Sequence, residues 1–328
     1  MDGTVLLHPT SPPPTTPSVV PVPVPVPAQV VDVTQSRVIC KPHLSGVTSL
    51  QFFPSSRVIL SSGQDFSLCV IPADLPDGPT YETRVSAARV MRGHVGTVTR
   101  TAIIGVGRNV VSASLDTKVR LWDVGSGEAI ATLFANGPVT AMSLGERTLV
   151  PPDGEEAVLP PVGDQREVLE TSSKLVFCAL KNGSFQLLDL GFKNSTYVSP
   201  RSSSSSSAPL TAIAYSPDSF LLATGSSAGV VTVYDTRSLA SPLTSFARMK
   251  GEIEDIAFVS PEKGVVSLAI ATSDGLPYVA SVLPEGPGVW AELVGVDCDA
   301  VSLLEAMKTE RIFGVRAMMV SLGDICFK

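Results

Sequence analysis

From about residue 37 onward, apolar and polar positions alternate with period two in short runs broken by turn residues. That is the pattern of half-buried β-strands, not of helices. A four-residue opening recurs six times: Val47-Thr48-Ser49-Leu50, Val98-Thr99-Arg100-Thr101, Val139-Thr140-Ala141-Met142, Leu210-Thr211-Ala212-Ile213, Ile253-Glu254-Asp255-Ile256 and Val301-Ser302-Leu303-Leu304. Five of these lead into a second alternating run closed by a turn signal, as in Leu60 to Asp65, Val111 to Asp116, Ala179 to Gly183, Ala223 to Gly229 and Ala271 to Gly275. Asn-Gly and Asp-Gly pairs suit tight hairpins, where glycine accepts a positive φ. Third strands follow, such as Ser184 to Asp189 and Val230 to Asp235. The pattern predicts a series of antiparallel meanders.

The second unit, Arg92 to Asp123, reads RGHVGTVTRTAIIGVGRNVVSASLDTKVRLWD. A Gly-His pair before the first strand, an Asp in the turn between the second and third, and a Trp-Asp end to the third resemble one blade of a WD40 β-propeller. In such a blade His94, Ser112, Asp116 and Trp122 form one buried hydrogen-bonded chain that satisfies its own polar groups. A His, a carboxylate and a Ser could also compose a hydrolase triad, but a blade network leaves no nucleophile in an open pocket. The fold class expected is therefore all-β, a WD40 β-propeller over residues 37–328 with six detectable blades, against seven in the full family fold. At roughly 40 to 45 residues per blade, six or seven use nearly all of the 328 residues.

The other units keep less of the set. Pro42 precedes His43 and the Trp position drifts to Val70 or Ile71; further on, Ala228 replaces the turn Asp and Tyr234 the Trp. Those blades are expected to rest mainly on apolar packing. Arg37-Val38-Ile39-Cys40 precedes His43 as Arg89-Val90-Met91-Arg92 precedes Gly93-His94. Residues 37–41 are accordingly expected to supply the outer strand of the C-terminal blade and lock the ring.

Residues 1–36 hold PPP and PVPVPVP, a composition that removes backbone donors and favours polyproline II. They predict a disordered Pro-rich tail. Two insertions interrupt the blades. Residues 145–174 carry two Pro-Pro pairs and seven carboxylates between Glu146 and Glu170, an expected mobile acidic loop. Residues 200–209 hold six consecutive serines, an expected flexible linker with hydroxyls open to phosphorylation.

With 24 Lys+Arg against 31 Asp+Glu the net charge is −7, which speaks against a nucleic-acid binder and favours a basic protein partner. Cys40, Cys69, Cys178, Cys298 and Cys326 stand singly, without zinc-site or disulfide spacing. They point to a reducing compartment, cytosol or nucleus. No apolar run reaches membrane-spanning length, and the N-terminus lacks the basic and apolar regions of a signal peptide. Three histidines, His8, His43 and His94, are too few and too separated for a His-based metal site. No phosphate-cradling loop occurs. The expectation is a non-enzymatic, cofactor-free monomer acting in cytoplasm or nucleus.

Function must then lie on surfaces. Where four units place Thr, the fifth has Glu254, beside Glu252 and Asp255, and the next loop supplies Asp297 and Asp299. These five carboxylates are the candidate partner-binding sector, suited to a Lys/Arg-rich surface.

Two stretches, Phe52 to Asp65 and above all Gly93 to Asp123 with its GRNVVSAS run, resemble the proteasomal ATPase-associated factor proteins. The resemblance is good over residues 40–135 and looser to about 280. It implies a WD40 propeller that binds ATPase subunits of the proteasome 19S regulatory particle through their carboxyl-terminal domains, as an assembly chaperone of the base. A generic WD40 scaffold, such as a ubiquitin-ligase substrate receptor or a ribosome-assembly factor, is the alternative on the same fold.

Overall fold

A computed structural model describes residues 3–7, 37–74, 82–147, 163–200, 208–248, 250–259, 265–283, 286–292, 301–309 and 312–319. Among them are β-strands and one short 3-10 helix, Leu169–Ser173, with no α-helix. Five four-stranded antiparallel sheets succeed one another along the chain. The first joins Val47–Phe52, Val58–Gly63, Ser67–Pro72 and Arg89–Arg92. The second joins Val98–Ile104, Asn109–Ser114, Lys118–Asp123 and Glu128–Phe134. The third joins Val139–Glu146, Lys174–Leu180, Phe185–Asp189 and Asn194–Val198. The fourth joins Leu210–Ser216, Leu221–Ser226, Val230–Asp235 and Thr244–Ala247. The fifth joins Ile253–Val259, Val266–Thr272, Tyr278–Leu283 and Gly288–Glu292. A sixth is represented by Val301–Thr309 paired with Ile312–Met319. The first strand of each sheet packs on the first strand of the next. These are the blades of a β-propeller.

Period-two alternation gives each blade two apolar faces, and neighbouring blades bury them against each other. Leu60, Leu68, Met91, Val98, Val110 and Trp122 fill the space between blades one and two. Ile104, Val111, Leu121, Val139, Cys178 and Leu180 fill that between two and three. Ala223, Val233, Ile253, Leu268 and Ile270 do so between four and five. Each large aliphatic side chain removed from water contributes about 1.5–3 kcal/mol, so a blade holds its shape chiefly through its neighbours.

The recurring Val-Thr opening has a backbone reason. In all six first strands the register shifts between the first and third residues, which makes the second residue the extra one of a β-bulge. In four blades that residue is Thr, and its hydroxyl donates to the carbonyl of the first strand residue of the next blade. The bonds run from Thr48 to Val98, Thr99 to Val139, Thr140 to Leu210 and Thr211 to Ile253, at 2.5–3.0 Å. A one-way chain of hydroxyls therefore stitches blades one to five together.

Three expectations need correction. The tail expected over residues 1–36 begins with structure: Val5–Leu7 pairs antiparallel with Arg37–Cys40, and Val5 is buried with Cys40, Ile59, Cys69 and Ile71. Gly3, at φ 65°, lies so close to the His43 and Ser45 carbonyls that a Cβ would overlap both. Residues 8–36 lie outside the described part. Arg37–Cys40 itself pairs in parallel with Glu82–Val85, from the connection before the last strand of blade one. Its apolar side thus covers the first blade; residues 320–328, its expected partners, lie outside the described part. Lastly, the acidic loop expected over 145–174 is built into the fold at both ends. Gly145 and Glu146 finish a strand, and residues 163–173 return to dock under blade two. The Asn109 amide, fully buried, donates to the carbonyls of Trp122 and Arg166 and accepts the Val168 N–H at 2.7 Å. Arg166 pairs with Asp164 at 2.8 Å and Glu128 at 3.0 Å, so the loop's charge is partly answered locally. Residues 148–162, and residues 201–207 of the serine-rich linker, lie outside the described part.

Candidate partner-binding face

Blade two carries the network that its sequence predicts. The Trp122 indole N–H donates to Ser112 Oγ at 2.8 Å, Ser112 lies 2.8 Å from His94 Nε2, and His94 Nδ1 lies 2.9 Å from Asp116. The Asp116 carboxylate can only accept, so Nδ1 carries a proton; burial disfavours the imidazolium, which assigns the neutral Nδ1–H tautomer and leaves Nε2 to accept the Ser112 hydroxyl proton while Ser112 accepts the indole N–H. Burial pushes the His94 pKa down against the pull of Asp116, which agrees with that tautomer. Burial alone would raise the Asp116 carboxyl, but the Val95 backbone N–H and His94 outweigh it and hold it below the usual range. Asp116 also accepts the Lys118 N–H and so closes the turn. Ser112 is wholly buried with both roles of its hydroxyl used, so the trio offers no exposed nucleophile.

Blade one keeps more of this set than its sequence suggests. His43 Nδ1 lies 2.9 Å from Asp65, and Nε2 lies 2.9 Å from Ser61 Oγ. No indole reaches Ser61, which bonds the Cys69 carbonyl at 3.3 Å, and Ser67 adds a further hydroxyl donor to Asp65 at 2.9 Å. Ser61 and Ser67 were hidden because serine is an ordinary polar member of an alternating strand; the signal available was their offset from Asp65, which matches that of Ser112 from Asp116 in the case of Ser61. In the turn itself, Phe66 and Thr117 hold φ near +67° and +66°, where blades three to five use Gly183, Gly229 and Gly275. The His and Asp of the first two blades stabilise turns that elsewhere need glycine.

The carboxylate sector is arranged differently from a solvated rim. Glu254 is the bulge residue of blade five. It is half-buried, and burial, helped by Glu252 and Asp255, pushes its pKa up against the opposing Arg100. Asp255 pairs at 3.4 Å with Arg100 from the first strand of blade two. Strands remote in sequence thus converge through Arg100, and Glu254 and Asp255 face inward to the axis that the first strands surround. Glu252, just before the strand, donates its backbone N–H to Ser273 Oγ at 3.0 Å. Asp297 and Asp299 lie outside the described part. Among the described residues no group of His, Cys, Asp and Glu is placed to hold a metal ion, and no helix is long and apolar enough to cross a membrane.

Sequence comparison finds the same repeat. The family model "WD domain, G-beta repeat" matches residues 34–71, 86–123 and 199–235. The chain carries WD40 repeats. Among curated WD40-type relatives, "WD repeat-containing protein 18" of Rattus norvegicus is 31% identical over 110 residues, 33% of this chain and 25% of that protein. "Pre-mRNA-processing factor 19 homolog 2" of Arabidopsis thaliana is 27% identical over 242 residues, 74% of this chain and 39% of that protein. "26S proteasome regulatory subunit RPN14" of Saccharomyces cerevisiae is 31% identical over 137 residues, 42% of this chain and 28% of that protein. The chain thus spans between a quarter and two fifths of the length of these WD40 relatives.

Proposed function

We propose that this WD40 chain is a non-enzymatic binding adaptor for ATPase subunits of the proteasome 19S regulatory particle, acting in cytoplasm or nucleus to assist or regulate assembly of the base. The observation that carries the reading is the similarity to a named proteasome regulatory subunit, on a scaffold whose most reactive-looking residues are spent on holding a blade. Its mechanism is occupancy: the propeller face covers an ATPase carboxyl-terminal domain and delays its docking elsewhere. The inward carboxylates Glu254 and Asp255, with Glu252 beside them and Asp297 and Asp299 of the following loop, would receive a basic side chain of that domain. Since Asp255 already holds Arg100, the informative charge reversals are Glu252→Lys and Glu254→Lys. They should weaken ATPase binding and flatten its salt dependence; unchanged binding removes these carboxylates from the contact.

A generic WD40 scaffold role, for instance for a ubiquitin ligase or in ribosome assembly, is the second reading; the longer match, to a relative named for pre-mRNA processing, favours a scaffold outside the proteasome without choosing among such roles. Affinity purification with mass spectrometry separates the two. Proteasomal ATPase subunits recovered without the core particle support the chaperone, whereas ligase or ribosomal partners without ATPases overturn it.

A further inference from the structure

In a chain with net charge −7, one end of blades one to three is apolar and cationic. His43 and His94 each sit below a turn whose next residue is a bare aliphatic side chain, Leu44 at 86% and Val95 at 71% exposure. Phe66 and Leu115, in the facing second turns, and Phe134, at the end of the outer strand of blade two, are exposed beside them. These positions are held together by named contacts. The Leu44 N–H bonds to Asp65, next to Phe66, and the Val95 N–H bonds to Asp116, next to Leu115. The short segment from Arg92 to Val95 carries the chain from one turn pair to the other.

The charges around this patch are of one sign. Lys41 and Arg92 are exposed at the same end of blade one, and Arg92 pairs across the sheet with Ser67. Lys118 stands opposite Phe134 in blade two, and exposed Lys181 occupies the corresponding turn of blade three. Among the described residues of these three blades, Asp65 and Asp116 are the carboxylates at this end. Both are consumed by the histidine, hydroxyl and backbone donors beneath them. Singly exposed apolar residues are ordinary; five held on adjoining turns and rimmed by unanswered cations form a surface of the kind that binds another protein.

We propose that this end of blades one to three is a docking surface for an acidic segment of a partner protein with apolar side chains set between its carboxylates. The apolar side chains would rest on Leu44, Val95 and Phe134, and the carboxylates would meet Lys41, Arg92, Lys118 and Lys181. The charge pattern selects this occupant: a basic or neutral apolar segment would bring no counter-charge to the rim. The surface is separate from the inward carboxylates of blade five and does not depend on the ATPase reading.

Panning a phage-displayed random peptide library on the full chain tests the assignment. Enriched peptides should combine Asp or Glu with Leu, Phe or Ile. A synthesised winner should bind at least about tenfold more weakly to Leu44→Ser/Val95→Ser, the loss that follows from removing central anchors. It should bind Arg92→Glu/Lys118→Glu weakly too, with a shallower salt dependence. All four side chains are surface positions, and thermal melting checks that the variants remain folded. Enrichment of basic peptides, absence of any consensus, or equal binding by both double variants would overturn the proposal. So would sedimentation showing a self-associated chain that Leu44→Ser/Val95→Ser converts to monomer, since a second copy would then be the occupant.

Discussion

His94 shows how much rests on one proton. Its neutral state is favoured by burial, and Ser112 serves the imidazole on one side and the Trp122 indole on the other. Ser112→Ala leaves two buried groups without partners and should cost about 3 kcal/mol in urea unfolding, since each unsatisfied buried group costs about 1–3 kcal/mol. Ser61→Ala in blade one, where no indole is involved, should cost about half of that; equal costs would mean that the Trp122 bond adds nothing. The same proton sets a pH dependence. The folded-state pKa of His94 lies below its unfolded value, so its contribution is full above about pH 6.5 and is lost as pH falls beneath it. Asp116, also lowered, contributes above about pH 4 and is lost as pH falls through its folded value. Unfolding free energy should therefore decline in two steps on acidification, and His94→Gln should remove the first; a slope unchanged between pH 7 and 5 would contradict the assignment. His94, Ser112, Asp116 and Trp122 were legible in the sequence because turn geometry ties them to fixed short spacings. Ser61 and Ser67 were not, because their roles are visible only once His43 is placed between them.

The period-two runs were enough to place the strands of five blades, since alternation is all that a blade buried on both faces requires. The connections were less legible. Composition marked residues 145–174 as a loop, yet nothing in its charge shows that Asn109, a blade-two residue, is waiting to receive it. Asn109 falls within the run GRNVVSAS, and its position there has a physical role: one amide closes the end of its own strand and holds a segment nearly sixty positions away. Asn109→Leu should keep the blade but release residues 163–173, read as faster proteolysis and faster amide exchange of Val168. Unchanged protection would place the anchor elsewhere, in the Arg166 ion pairs. The inward turn of Glu254 and Asp255 escaped sequence reasoning for a related reason. Whether a polar side chain faces solvent or a facing strand depends on the bulge, and the bulge residue looks like any other Thr in an alternating run.

Across the whole molecule, one strand outside the repeats matters as much as the repeats themselves. A tract rich in Pro and Val masked the strand Val5–Leu7, because three apolar residues carry little weight beside nineteen of low complexity. Val5 nevertheless caps the Cys40–Ile59–Ile71 cluster. Val5→Asp should lower stability by about 3 kcal/mol, the order of an unpaired polar group placed in an apolar site. It should also expose Cys40 to thiol reagents, while Cys178, whose pKa burial pushes up to about 12, stays inert. A variant as stable as the parent would show that the strand only rests on the surface. The hydroxyl chain from Thr48 to Ile253 has a mechanical meaning as well. Each link resists separation of one blade from the next, and the chain stops at blade five, where Glu254 as a carboxylate has no proton to pass on. Among the described residues, the junction of the fifth and sixth sheets therefore lacks the hydroxyl rivet that the four before it carry. Pulled in an optical trap, Glu254→Thr should open at a higher first force than the parent chain; an equal force would mean that packing rather than hydroxyls holds that junction.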